Sequence, residues 1–133
     1  MQSFPKIFET TALGTTSTPI AAAPSGSLIR LHKIEISIQN NNTVPIAGSV
    51  DIGINYYRVI GFSNLIYDTI FLPAVSIVTI PGNIIIKKDF GPLGVLCYPI
   101  TANGQAILYS YISQNLGVSA SFTSSYNYEP IGS

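Results

Sequence analysis

Short runs rich in isoleucine, valine and tyrosine recur along this sequence, and Gly, Pro or Asn separates most of them. β-branched and aromatic side chains suit a pleated, half-buried surface, whereas Gly, Pro and Asn favour turns. Apolar spacing typical of a helix is almost absent. The pattern therefore predicts an all-β protein. The expected strands cover residues 18–23, 28–39, 46–59, 65–72, 75–80, 84–88, 93–98, 105–113 and 118–124. Pro73 is expected to separate the strand 65–72 from the strand 75–80.

Many short strands joined by short turns favour two antiparallel sheets packed face to face. We expect an antiparallel two-sheet sandwich over residues 18–125, in the form of a jelly roll of eight or so strands. A small closed barrel is the alternative. Residues 1–17 are rich in Ser and Thr, with scattered apolar anchors, and we expect them to form an extended N-terminal arm. Residues 126–133 are expected to form a short C-terminal tail.

The alternation of apolar and polar side chains changes phase within residues 28–39. Arg30 and His32 are polar positions in the first part of this strand, whereas Lys33 and Glu35 are polar positions in the second. One extra residue in a strand produces such a slip, so the sequence predicts a β-bulge at His32 and Lys33. A strand that passes from one sheet to the other would give the same pattern.

Charged residues make up only 9% of the chain, and the formal net charge is zero. A typical soluble domain has about 25% charged residues. A zero net charge also favours association at neutral pH. We therefore expect much of the outer surface to be covered by other protein, either further copies of this chain or a larger assembly. A monomer with an unusually apolar surface is the alternative.

Tyrosine and the apolar anchors of the expected arm are the candidates for that contact surface. A tyrosine ring supplies contact area, and its hydroxyl supplies one hydrogen bond, which suits a partly dry interface. Packing within the core of the sandwich is the alternative role for any one of these rings. The candidate assembly residues are Phe4, Ile7, Phe8, Leu13, Tyr56, Tyr57, Tyr109, Tyr111, Tyr126 and Tyr128.

No catalytic, cofactor-binding or metal-binding residue is predicted. His32, Lys33 and Glu35 are the best catalytic candidates, but neighbouring side chains of a strand point to opposite faces. One histidine, one cysteine and widely spaced acids do not form a metal site within one chain, although a threefold axis could bring copies of His32 together. The basic pair Lys87-Lys88 is followed by an acid, so we expect no specific nucleic-acid binding.

The apolar runs are the length of strands, and none reaches the roughly 18 residues of a membrane span. The first 23 residues lack the apolar core of a secretory signal, so we expect no signal peptide and synthesis in a cytoplasm. Cys97 is the only cysteine, and we expect it to be a small buried residue of a strand.

Residues 17–39, STPIAAAPSGSLIRLHKIEISIQ, resemble the opening of many small virion proteins, in which a short strand leads through a Pro/Gly turn into a long strand. Pro24, Gly26 and Arg30 carry this likeness. The composition, rich in Ile and Tyr and poor in charge, is similar to that of structural proteins of viruses that infect archaea in hot acidic springs. The resemblance implies a jelly-roll subunit of a virion, such as a capsid decoration, vertex, turret or tail-adaptor protein.

The predicted function is thus that of a non-enzymatic structural subunit of a virus particle. Its partners would be other copies of itself and other virion proteins such as a major capsid protein. A receptor- or glycan-binding module, with its loops near residues 56–64, is the second possibility. A small enzyme that uses His32 is the third.

Overall fold

The computed structural model describes residues 7–45, 47–60, 64–76, 82–101 and 104–131, and all of its regular elements are strands. The nine strands are β1 (Ile7–Leu13), β2 (Thr18–Ala22), β3 (Ser27–Asn40), β4 (Ser49–Ile60), β5 (Asn64–Ser76), β6 (Gly82–Asp89), β7 (Val95–Cys97), β8 (Ile107–Ile112) and β9 (Val118–Pro130).

The strands form two antiparallel sheets, which confirms the predicted two-sheet sandwich. The first sheet has the order β1-β9-β3-β6, with β7 also paired to β3, and the second has the order β2-β8-β4-β5. The pairings are nested around the β4–β5 hairpin. β4 pairs with β5, β3 with β6, β2 with β8, and β1 with β9. This nested pairing, rolled into two sheets, is the strand arrangement of a jelly roll.

The core lies between the sheets, where the apolar positions of alternating strands meet. Ile34, Ile36 and Ile38 of β3 are buried, and so are Ile52 and Ile54 of β4 in the opposite sheet. Each isoleucine that is fully buried contributes roughly 1.5–3 kcal/mol. The alternation read from the sequence therefore places these side chains inside the sandwich.

The bulge predicted in β3 is confirmed. Leu31 lies opposite Tyr126 of β9, but Lys33 lies opposite Ser125, so His32 is the extra residue. Both parts of β3 remain paired with β9, which excludes the passage of this strand between sheets. The bulge also separates the part of β3 that pairs with β7 from the part that pairs with β6.

Three expected boundaries differ in the structure. Residues 7–13, expected in an arm, form β1 and pair with β9 of the same chain, because their apolar anchors Ile7 and Leu13 pack against the core. Most of the expected tail belongs to β9, which continues to Pro130 along β3. Pro73 does not end a strand: β5 continues through it, because β5 is at a sheet edge and a bulge accommodates the missing N–H. Residues 77–80 of the expected strand 75–80 lie outside the described residues.

Candidate interaction surface

Charged residues are distributed unequally between the two sheets. The first sheet carries Glu9, Arg30, Lys33, Glu35, Lys87, Lys88, Asp89 and Glu129, whereas the second sheet carries Asp51, Arg58 and Asp68. Because a sandwich exposes one face of each sheet, its two outer faces differ in chemistry.

The outer face of the first sheet is mainly polar and ionic, although it also exposes Phe8 and Ile85. Lys87 lies 3.5 Å from Glu35, and Lys33 lies 3.8 Å from Asp89, with all four side chains largely exposed. Exposed ion pairs of this kind contribute little to stability and keep a surface hydrated. This face therefore resembles an ordinary solvent-facing sheet.

The outer face of the second sheet carries aromatic rings on three adjacent strands. Tyr57 of β4 lies opposite Tyr67 of β5, and the two ring centroids are 4.7 Å apart. Tyr109 and Tyr111 of β8 lie opposite Asn55 and Gly53 of β4, and Phe71 of β5 lies opposite Gly53 on the other side. We call this surface the tyrosine face, and it consists of Gly53, Asn55, Tyr57, Tyr67, Thr69, Phe71, Tyr109 and Tyr111.

Gly53 leaves room for one of these rings. A Cβ atom at residue 53 would lie 2.5–2.6 Å from the ring and hydroxyl atoms of Tyr111. The absence of a side chain therefore lets the Tyr111 ring lie close to the backbone of β4. Such close approach is one of the uses of glycine in a strand.

Two uncharged polar side chains of the tyrosine face, Asn55 and Thr69, are hydrogen-bonded to each other and to Ser17. The Thr69 hydroxyl donates a hydrogen bond to Asn55 Oδ1 at 2.9 Å, and Asn55 Nδ2 donates to the Ser17 hydroxyl at 3.0 Å. Burial, together with the neighbouring tyrosines, raises the pKa of Tyr67. Its hydroxyl is therefore protonated and can donate at neutral pH.

A groove continues the tyrosine face towards the loop after β7. Its volume is about 370 Å³, and it lies beside Tyr57, Tyr67 and Tyr109. The backbone N–H of Tyr98 donates to the Tyr57 carbonyl at 2.8 Å, which fixes the loop against β4. The groove is lined by Tyr57, Tyr67, Tyr98, Ile100, Gln105, Ile107 and Tyr109, none of which is charged.

The structure brings three of the predicted assembly residues together, namely Tyr57, Tyr109 and Tyr111. It places Phe8 on the opposite sheet, where the side chain is 71% exposed. Tyr56, Tyr126 and Leu13 are buried in the core, and Ile7 and Tyr128 are partly buried against it. Phe4 lies outside the described residues.

Sequence reasoning missed Tyr67, Phe71, Tyr98 and Ile100. Tyr67, Phe71 and Ile100 are each more than half exposed. The alternation Leu65, Tyr67, Thr69, Phe71 could have indicated a shared face for β5. That signal was obscured because the intervening residues of β5 are largely apolar as well.

The residues considered for catalysis have separate partners. His32 Nε2 is hydrogen-bonded to Asn127 Oδ1 of β9, while Lys33 and Glu35 form the ion pairs described above. Within the described part of the chain, no group of three or more His, Cys, Asp or Glu side chains could hold a metal ion. The same residues include no helix long and apolar enough to cross a membrane.

Comparison with known proteins found no family model that matches this chain and no similar curated protein.

Proposed function

We propose that this protein is a structural subunit of a virus particle that assembles through its tyrosine face. The partners would be other copies of the chain and other virion proteins such as a major capsid protein. Support comes from the jelly-roll strand arrangement and from the likeness of residues 17–39 to the opening of small virion proteins. The protein would act without catalysis, as a rigid block within the particle.

The observation that carries the proposal is the contrast between the two outer faces. The tyrosine face has uncharged residues on β4, β5 and β8 where the opposite sheet has ion pairs. Aromatic residues are enriched, and charges depleted, at the centres of protein interfaces. Each exposed ring that becomes buried contributes on the order of 1–3 kcal/mol, which offsets part of the entropic cost of association.

The first test is the mass of the purified protein in solution, measured by light scattering. We expect an oligomer for the natural chain and a smaller species for the double variant Tyr57→Ser/Tyr109→Ser. The matched control is Thr10→Ser/Thr123→Ser, which changes two hydroxyl residues on the opposite outer face. A natural chain that is monomeric at tens of micromolar concentration would contradict assembly through this face.

The second test concerns the virion itself. Antibodies against the purified protein should label virus particles isolated from the source of the sequence, and the protein should be present in stoichiometric amount. Absence of the protein from such particles would contradict the virion role, even if it self-associates.

Glycan binding is a second candidate function, favoured by the groove beside Tyr98. Its aromatic walls and the Gln105 amide suit a neutral sugar, because sugars stack on rings and hydrogen-bond to amides and hydroxyls. A glycan array with the natural protein and with Tyr98→Ala distinguishes the two functions. Binding that Tyr98→Ala removes, in a protein that remains monomeric, would favour the glycan-binding module.

A further inference from the structure

β5 is an edge strand with a long open side. It pairs with β4 along one side, and among the described strands it has no second partner. An edge strand presents unpaired N–H and C=O groups, which can hydrogen-bond to a strand of another chain. The part of β5 from Asn64 to Leu72, before Pro73 and the bulge, pairs regularly with β4, and its open side is long enough for a stable pairing.

The other three edges carry features that discourage pairing. β6 ends in Lys87, Lys88 and Asp89, and charged residues, lysine above all, protect an edge. β2 has only five residues, one of which is Pro19. β1 has a glutamate, Glu9, at its third position.

β5 has one charged residue, and this residue is already neutralised within the chain. Arg58 Nε donates to Asp68 Oδ2 at 2.6 Å, and the Thr69 N–H donates to the other carboxylate oxygen at 2.8 Å. Around it lie two strongly exposed aromatic rings, Tyr67 (52%) and Phe71 (69%). This edge is therefore apolar and is not protected by free charge.

We propose that β5 pairs antiparallel with β5 of a second copy, about a two-fold axis that passes through Thr69. A two-fold axis perpendicular to the sheet keeps the outer faces of both copies on the same side. This register places Tyr67 opposite the partner subunit's Phe71 and Asp68 opposite the partner subunit's Ile70. An axis at Asp68 would instead place two carboxylates face to face, which is unfavourable.

Cross-strand aromatic pairs are among the stabilising pairs of antiparallel sheets, and this register makes two of them by symmetry. The four-stranded sheet of one copy and the same sheet of the second copy then form one continuous eight-stranded sheet. The two tyrosine faces then lie side by side as one larger surface. The pairing goes beyond the proposed function, because it uses the edge of the sheet and would hold for any self-associating role.

The test is disulfide formation by Thr69→Cys. Residues directly opposite one another in an antiparallel pair have Cα atoms about 4.5–5.5 Å apart, within the range of a disulfide. The native Cys97 does not compete, because it is fully buried and burial raises its pKa to about 11. We expect mild oxidation to convert most of the Thr69→Cys protein to a covalent dimer. Thr10→Cys on β1 and Asn83→Cys on β6 are the edge controls and should remain uncrosslinked.

A second pair of variants tests the register. Tyr67→Cys mixed with Phe71→Cys should give covalent heterodimers, whereas either variant alone should give few dimers. In the proposed register two copies of residue 67 are four residues apart along the strand, about 13 Å. Crosslinking of Tyr67→Cys alone at the same yield as the mixture would overturn the register.

The experiment is repeated in the Tyr57→Ser/Tyr109→Ser background to separate the edge from the face. Crosslinking at residue 69 with and without the Tyr57→Ser/Tyr109→Ser substitutions supports pairing through the β5 edge, whether or not the tyrosine face also forms contacts. Crosslinking that disappears with the face substitutions, or that is absent in both backgrounds, would overturn the edge pairing. Preferential crosslinking of Thr10→Cys would also overturn it.

Discussion

Arg30 of β3 donates hydrogen bonds from Nε and Nη2 to the two carboxylate oxygens of Glu129 of β9. Both side chains are about three-quarters buried, and Arg30 also donates to the Leu93 carbonyl in the turn before β7. Asn127 donates to the same carboxylate and is hydrogen-bonded to His32 at the bulge. The pair thus joins the two long central strands where the β3 ladder is interrupted.

We predict that Glu129→Gln lowers the free energy of unfolding by about 1–2 kcal/mol at neutral pH, because a charge-assisted bidentate pair is lost. The Arg30 hydrogen bond holds the pKa of Glu129 below its usual value. The unfolded state then binds this proton more readily than the folded state. The stabilisation by the Glu129 carboxylate is therefore fully present above about pH 4.3, the pKa of this group in the unfolded chain. It is lost as the pH falls through the lower pKa of the folded state.

Urea unfolding of the natural protein and of Glu129→Gln, at neutral pH and near pH 3, tests this prediction. The difference in the free energy of unfolding between the two proteins should be smaller near pH 3. Asp89→Asn is the control, because its pair with Lys33 is exposed and longer, at 3.8 Å. This change should alter stability by less than about 0.5 kcal/mol. An equal difference at both pH values would contradict the role of the Glu129 charge.

The loss of unfolding free energy caused by an isoleucine-to-alanine substitution should depend on whether the isoleucine faces the core or the solvent. Ile36 of β3 is fully buried, whereas Ile85, on the neighbouring strand β6, is 56% exposed. We predict that Ile36→Ala costs about 3 kcal/mol through lost burial and a cavity, and Ile85→Ala less than about 1 kcal/mol. Denaturant unfolding measures both, and similar losses would contradict the assignment of the two faces.

Tyr126 should make the fold sensitive to alkali. Its ring is buried, and its hydroxyl donates to Glu9 Oε2 at 3.2 Å. Burial, followed by neighbouring groups that include Glu9, raises the pKa of Tyr126 well above its ordinary value of about 10. The folded state therefore keeps a proton that the unfolded state releases, so stability falls as the pH rises above about 10.

Melting temperatures measured from neutral to alkaline pH test this prediction. The melting temperature of Tyr126→Phe should fall less steeply above about pH 10, because a phenylalanine ring has no hydroxyl proton to lose. Glu9→Gln should retain most of the alkaline loss, since burial is the largest cause of the shift. An unchanged slope in Tyr126→Phe would assign the alkaline loss to other groups.

Two glycines in the turn between β6 and β7 offer a matched comparison. Gly91 and Gly94 both have a positive φ, 84° and 66°. A Cβ at residue 91 would meet nothing within 4 Å, but at residue 94 it would lie 2.5 Å from the Leu31 carbonyl oxygen. That oxygen cannot move freely, because Leu31 is paired with Val95 of β7 and with Tyr126 of β9.

We predict that Gly91→Ala costs about 1 kcal/mol, the strain of a left-handed alanine, and that Gly94→Ala costs about 3 kcal/mol. Thermal or denaturant unfolding gives both values. Equal losses would mean that the backbone contact at Leu31 relaxes without cost.

Local alternation was sufficient to predict several features of this fold. The phase slip at His32 predicted the bulge, because one inserted residue reverses the face of every residue that follows. The burial of Cys97 was also predicted and is confirmed. The place of β1 was missed because its partner, β9, is more than a hundred residues away along the chain.

The candidate surface was only partly predictable for the same reason. Tyr109 and Tyr111 share a strand, so their common face follows from their spacing. Tyr57 and Tyr67 meet because β4 and β5 pair in one particular register. Tyr56 and Tyr126 were candidates as well, but their strands direct them into the core.

By itself, the sequence determined that the chain forms strands, where most of them lie and which residues of a strand share a face. Only the tertiary structure decided which of these faces is covered and which strand is left at an edge. Alternation divides each strand into two sets of side chains, but the second sheet is what buries one set and leaves the other exposed. The separation of the ionic face from the tyrosine face is therefore a property of the assembled sandwich.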